Sequence, residues 1–304
     1  MPESVNKECV LICGGTGLIG TILRPFLIEQ GYEVCVLSRR QSNSYTYHWD
    51  PKLKEFPIQL LNKVDHIINL SGLSLMKRWT ASYKKKLLRS RTIPTRFLHE
   101  VLSSNPHQVK TFINASGINI YGDNGDKKLT ETNDFGDGFI QKLCIEWESE
   151  AQKIRNLGIR TAIFRISPVL HKQGEFVSLQ MRLAKFGLLG RVGDGQQLLP
   201  WIQAQDLIGM ILFALQNENC NAVYNACAPH PISQLGMNAA FEALAQQKQF
   251  VPPVPSQLIR LTLGERGALL TESLNAYPKA ILELGYTFKF NQFKEALKAT
   301  IEEQ

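Results

Sequence analysis

Seven residues carry the sharpest chemistry in this chain: Gly14-Gly15-Thr16-Gly17-Leu18-Ile19-Gly20. They follow the apolar run Cys9-Val10-Leu11-Ile12-Cys13 and lead into the helical spacing of Ile19, Ile22, Leu23, Phe26 and Leu27. A Gly-x-x-Gly-x-x-Gly turn between a buried strand and a helix suits a phosphate anion. Gly14 permits the tight turn, Gly17 lets the backbone approach a pyrophosphate, and Gly20 lets helix and strand pack closely. The helix start adds free N–H groups and partial positive charge. The pattern predicts dinucleotide binding, with Thr16 counted inside the binding turn. At the end of the next apolar run, Val34-Cys35-Val36-Leu37, stands Ser38-Arg39-Arg40. An NAD site usually has a carboxylate there, bonded to the ribose 2′-hydroxyl. Guanidinium groups instead suit a 2′-phosphate, so NADP(H) is the expected cofactor. A plain solvated surface pair fits Arg40 better than Arg39.

Other chemistries find less support. The histidines (48, 66, 99, 107, 171 and 230) show no His-x-x-x-His spacing, and no metal is expected. The cysteines (9, 13, 35, 144, 220 and 227) include no Cys-x-x-Cys pair and read as free buried thiols in a reducing compartment. Gly72-Leu73-Ser74-Leu75-Met76 lacks the closing glycine of a nucleophile elbow.

The elements that must position the glycine turn follow from hydrophobic periodicity. The run at 9–13 is apolar throughout, as in a parallel strand buried on both faces. Gly31 ends the first helix, and 34–37 is the second strand. That strand–helix–strand unit continues with strands at 64–70, 111–115, 160–166 and 222–226 and helices at 144–156 and 207–215. The segment 84–91 reads as helical, and a short helix spans 177–186. Asp206 fits a helix N-cap. Pro252-Pro253-Val254-Pro255 breaks the chain before a helical tail. The expected fold is α/β: a doubly wound parallel (Rossmann) sheet over 1–165, with 205–228 returning to it. A smaller, mostly helical C-terminal portion over 166–304 forms the substrate side. No run approaches the ~18 apolar residues of a membrane span. Met1-Pro2-Glu3-Ser4 carries acid and no basic n-region, so a cytoplasmic protein is expected.

The formal charge is +7, with 34 basic residues against 27 acidic. Its distribution matters more than its sum. Between Ser71 and His99 there is no acidic residue, yet Lys77, Arg78, Lys84, Lys85, Lys86, Arg89, Arg91 and Arg96 all lie there. Without those eight, 26 basic residues face 27 acidic ones. Lys84, Lys85 and Arg89 read as a solvated helix face. Arg91, with Lys86 behind it, is the candidate for a phosphate. Nucleic acid is not the expected partner, because aromatics interleave only as Trp79 and Tyr83 and no binding motif is present.

In order and spacing the chain resembles the extended short-chain dehydrogenases/reductases. More narrowly, it resembles the atypical NAD(P)-dependent epimerase/dehydratase-like branch that ends in a small domain of unknown function. The resemblance rests on Gly14 to Gly20, Ser38-Arg39, Tyr47-His48-Trp49-Asp50, Asn69-Leu70-Ser71-Gly72, Arg78-Trp79, Ser90-Arg91, Ser116 with Tyr121-Gly122, Trp147-Glu148, Pro200-Trp201-Ile202, Asn225-Ala226-Cys227-Ala228-Pro229 and Leu263-Gly264-Glu265. It implies a nicotinamide cofactor along the strand ends. Gly14, Gly17, Leu18 and Ile19 match positions at the pyrophosphate, and Ser38 and Arg39 at the adenosine phosphate. Leu70 and Ser71 follow the fourth strand, Arg91 faces the cofactor, and Val169 lies near the nicotinamide. It also carries a homodimer as the expected assembly.

One departure from the resemblance matters. Short-chain dehydrogenases use Tyr-x-x-x-Lys, whose lysine lowers the tyrosine pKa for proton transfer. None of the eight tyrosines here has a lysine four residues on, and Ile140 and Cys144 stand at the expected positions. Ser116 and Tyr121, after the fifth strand, are the remaining catalytic candidates. Ser116 would hydrogen-bond a substrate carbonyl, and Tyr121 would act as an acid. The expected function is NADP(H)-dependent oxidoreductase or epimerase-like chemistry on a small polar substrate. An NADPH-binding regulatory or scaffold protein with little turnover is the alternative. Titration with both dinucleotides should show tighter NADPH than NADH; equal affinities would remove the assignment of Arg39.

Overall fold

The computed structural model describes residues 7–39 and 43–302. Its centre is a seven-stranded, all-parallel sheet. Strand β1 is Cys9–Cys13, β2 Glu33–Ser38, β3 Thr46–His48, β4 His66–Asn69, β5 Thr111–Gly117, β6 Arg160–Ile166 and β7 Val223–Ala226. The spatial order is β7-β6-β5-β4-β1-β2-β3, and it reverses between β1 and β4. Ligands of such sheets bind outside the carboxyl ends of the strands at that reversal. The predicted doubly wound parallel sheet is therefore present. Strand β3 is absent from the sequence reading; three residues at a sheet edge carry too little periodicity to reveal it.

Alternation along β1 sets the layers. Val10 and Ile12 face one side and pack with Leu23 and Leu27 of α1 (Leu18–Glu29). Cys9, Leu11 and Cys13 face the other and pack with Leu98 and Val101 of α2 (Ala81–Ser104) and with Ala151 and Ile154 of α3 (Phe139–Arg155). Helix α4 (Glu175–Lys185) belongs to a smaller core around Trp201 and Phe241. Helix α5 (Ala204–Gln216) returns to the first face through Leu207, Ile208 and Ile211. Helix α6 (Gln234–Ala245) and the final helix Phe293–Glu302 complete the small core through Phe241 and Phe293. Among the described residues, no helix is long and apolar enough to cross a membrane.

Three local findings correct or extend the sequence reading. Asp206 does not cap α5; Gln203 does, its side chain accepting from the Gln205 N–H. Asp206 sits buried in the first turn, and its carboxylate accepts the backbone N–H groups of Lys289 at 2.7 Å and Phe290 at 3.0 Å. It therefore fastens the C-terminal segment to the sheet. Nor does that segment stand apart elsewhere, since Asn275–Ala276 pairs in parallel with Lys128–Leu129. Lys84 is half-buried and ion-paired with Glu265, so only Lys85 and Arg89 keep the expected free face; Lys86 is exposed too.

Gly14 and Gly20 have the steric uses the spacing predicts. Gly14 has φ +78°, and a Cβ there would lie 2.9 Å from the Leu70 carbonyl carbon. A Cβ on Gly20 would stand 2.4 Å from the Gly15 Cα. Gly20→Ala should therefore force α1 off the sheet and cost about 1–3 kcal/mol, read as a lowered Tm of the isolated protein.

Candidate active site

The glycine turn lies at the surface where the sheet order reverses. Cys13 pairs with Leu37 on one side and with Asn69 on the other, so the turn emerges between the ends of β2 and β4. Thr16 and Gly17 are exposed, and Leu18 and Ile19 are half-buried. Gly17 is the N-cap of α1, no side chain caps it, and the first turn holds no acid. A Cβ on Gly17 would meet only the Gly14 carbonyl oxygen, at 3.3 Å. An uncapped helix start with open space above it suits a pyrophosphate. Ser38 ends β2 beside the turn, and Arg39 follows it, exposed. Arg40 lies outside the described residues. Leu70 continues the β4–β1 ladder, its N–H donating to the Cys13 carbonyl at 2.8 Å, and Ser71 is buried beside it.

Next to the turn opens a cleft of about 220 Å³. Its apolar walls include Ile19, Leu70, Leu75, Ile140, Leu143, Trp147 and Ile166. Arg91, Ser116 and Asn119 supply polar side chains. Ile166 lines the cleft, and Val169, three residues on, pairs with Ile202. Another surface hollow of about 240 Å³, around Lys54 and Phe97, lies off this cleft and shares no lining residue with it.

Arg91 is 8% exposed, and its guanidinium lies 5.2 Å from the Trp147 ring centre. It donates to the carbonyls of Leu87 at 3.3 Å and Leu73 at 3.0 Å. Among the described residues no carboxylate pairs with it. Burial lowers its pKa, but an arginine stays charged. Gly72 makes room for it, since a Cβ there would lie 3.0 Å from the guanidinium carbon. A buried, unpaired cation on a cleft wall is costly unless an anion or developing oxyanion meets it.

Ser116 is in the cleft as expected, but its proton is committed. Its Oγ donates to Glu148 Oε1 at 2.7 Å. The free capacity of the hydroxyl is therefore its lone pairs, which accept rather than donate. Glu148 also pairs with Arg165 through two bonds of 2.9 Å, both groups being buried.

Tyr121 does not sit where an acid would act. It is 1% exposed and is absent from the cleft wall. Its hydroxyl donates to Asn225 Oδ1 at 2.7 Å and accepts from Arg165 Nη1 at 2.7 Å. Burial pushes its pKa up to about 12, despite the neighbouring guanidinium. The expected acid is thus a member of a buried polar network.

The cleft does contain Ile140 and Cys144, the positions at which the Tyr-Lys pair was expected. Cys144 is buried, and burial pushes its thiol up to about 12. It stays protonated near neutral pH. Asn119 escaped the sequence reading. It is half-buried in the cleft, and its side-chain amide has no protein partner among the described residues. The available signal was a polar residue just past the carboxyl end of a strand.

Comparison with known proteins agrees with this geometry. The model of the NAD dependent epimerase/dehydratase family matches residues 10–227, and that of a domain of unknown function (DUF1731) matches residues 254–300. An epimerase family protein of Mycobacterium leprae is 33% identical over 304 residues, covering 98% of this chain and 97% of its own length. The structure of the human epimerase family protein SDR39U1 with NADPH superposes with a TM-score of 0.87 at 28% identity, covering 97% of this chain and 100% of that one. A nucleoside-diphosphate sugar epimerase of Corynebacterium glutamicum has a TM-score of 0.80 at 28% identity, covering 97% of this chain and 58% of that one.

The buried network yields a stability test. Glu148→Gln should cost about 3–5 kcal/mol in denaturant unfolding, because it leaves Arg165 an unpaired buried charge. Tyr121→Phe should cost about 1–3 kcal/mol, one buried bond set. Alkylation of the folded protein near neutral pH should leave Cys144 unmodified, since its thiolate is not formed there.

Proposed function

Because the chain belongs to the NAD dependent epimerase/dehydratase family, we propose that it binds NADP(H) at the glycine turn and acts as an oxidoreductase or epimerase on a small polar substrate in the adjoining cleft. One observation carries this reading: the uncapped start of α1 opens beside a cleft whose wall holds an unpaired guanidinium. Arg39 at the end of β2 and the NADPH held by the human relative support the phosphorylated cofactor. When bound, the nicotinamide supplies the hydride, since no side chain here carries one.

The chain's own residues then have separable roles. The N–H groups of Leu18 and Ile19 receive the pyrophosphate, and Thr16 and Gly17 leave its path open. Arg39 meets the 2′-phosphate, while Ser38, Leu70 and Ser71 line the route of the dinucleotide. Arg91 meets a phosphate or oxyanion inside the cleft. Ser116 accepts a hydrogen bond from a substrate hydroxyl, Asn119 can donate or accept, and Ile140, Leu143 and Trp147 exclude water.

A second reading has its own support. The acid–base positions hold Ile140 and a protonated Cys144, which suits an NADPH-binding regulatory protein with little turnover. Single-turnover oxidation of bound NADPH against carbonyls, sugar nucleotides and quinones separates the two. Hydride transfer to one class supports the enzyme, and none supports the regulator.

Two arginine variants test the cofactor assignment. Arg39→Ala should weaken NADPH by about 10- to 100-fold, spare NADH, and lose most of the salt dependence of NADPH binding. Arg91→Ala should weaken both dinucleotides, or the substrate, with little salt dependence, because a buried charge is poorly screened. An Arg39→Ala variant that keeps its NADPH preference would remove the phosphate assignment.

A further inference from the structure

The opposite end of the sheet holds a cluster that the cofactor site does not use. Cys9 opens β1 and Glu33 opens β2, and the two are paired in register. Cys35 lies two residues further along β2, on the same face. The Cys9 and Cys35 Sγ atoms stand 3.9 Å apart, and Cys35 Sγ is 4.0 Å from Glu33 Oε1. Ligand atoms of all three residues lie within 4.8 Å of one another. Both thiols are 2% exposed, while about half of the Glu33 side chain reaches solvent and offers an entry path. Lys63 donates to Glu33 Oε1 at 2.8 Å.

We propose that Cys9, Cys35 and Glu33 form a binding site for a thiophilic divalent cation of the zinc and cadmium type, with water as the fourth ligand. Tetrahedral bonds of ~2.3 Å to two thiolates place the sulfurs ~3.8 Å apart, close to the separation found. The charges also balance. Two thiolates and one carboxylate carry three negative charges, the ion returns two, and the Lys63 ammonium offsets the last. Binding forms two metal–sulfur bonds and one metal–oxygen bond, and the thiol protons leave to solvent. Affinity therefore rises with pH.

A disulfide is the competing use of two close thiols, and strand geometry opposes it. The cysteines are offset by two residues on adjacent parallel strands. A rise of ~6.6 Å and a strand spacing of ~4.8 Å put their Cα atoms ~8 Å apart. Disulfides need about 4.4–6.8 Å. An ion bridges that gap without moving the strands. The pair escaped the sequence reading because its members lie 26 residues apart in the chain.

The test uses the full chain, reduced and metal-free. Titration with Cd2+ alone should raise the ultraviolet thiolate-to-cadmium band and saturate at one ion per chain, and Zn2+ should displace it. Cys9→Ser and Cys35→Ser should abolish the band. Glu33→Gln, at a surface position that leaves the core intact, should weaken binding by about tenfold or more. NADPH affinity should not change, since the site lies ~13 Å along β1 from the glycine turn. A missing band, a band that survives either cysteine substitution, or unchanged binding in Glu33→Gln overturns the proposal. So does recovery of a Cys9–Cys35 disulfide under mild oxidant from protein that gave no band when reduced.

Discussion

Arg165 is the charge around which the carboxyl end of this sheet is arranged. It sits on β6, 2% exposed, and a cation so deeply buried survives only if its neighbours satisfy it. Glu148 of α3 grips it with two bonds, Tyr121 accepts a third, and the Glu131 carbonyl accepts another at 3.2 Å. Two consequences reach the cleft. Glu148 is held close by that grip, and it accepts the Ser116 proton and so fixes which way that hydroxyl faces. Tyr121 is held in the same network, its hydroxyl bonded to both Asn225 and Arg165.

The cleft that results is mostly apolar, with a few fixed polar groups. Arg91 is kept in place by carbonyls of its own helix and of the segment after β4, and by the face of Trp147. Gly72 is needed less for its backbone freedom than for the space the guanidinium fills. A wall of this kind fits a cofactor that brings its own reactive atom.

Sequence and structure agree best where the demand is local. The glycine turn was legible because its spacing serves one strand–turn–helix unit, as the Gly20–Gly15 approach shows, whereas the close approach of Gly14 to Leu70 crosses to the neighbouring strand. Parallel strands with continuous apolar runs were legible for the same reason. The rest depended on partners far away in the chain. Tyr121 finds Asn225 104 residues later, and Asp206 finds Phe290 84 residues later, so neither role has a periodicity to read. Ile140 and Cys144, read from the sequence as standing at the Tyr-Lys positions, both line the cleft, whereas the substitute candidates, chosen by nearness to a strand end, are told apart only by the ion pair behind them.

Asp206 and Glu131 also bear on how the chain comes to fold as it is made. Asp206 takes its backbone donors from Lys289 and Phe290, and Glu131 takes one from Ala280 and one from Asn225. Both carboxylates belong to the sheet side of the molecule, and most of their donors belong to the last stretch of chain. A nascent polypeptide that has released only residues 1–227 still lacks the donors at Ala280, Lys289 and Phe290. The boundary between the two matched regions is thus no seam in cooperativity. The first half cannot close its own hydrogen bonds, and the molecule should unfold in a single transition.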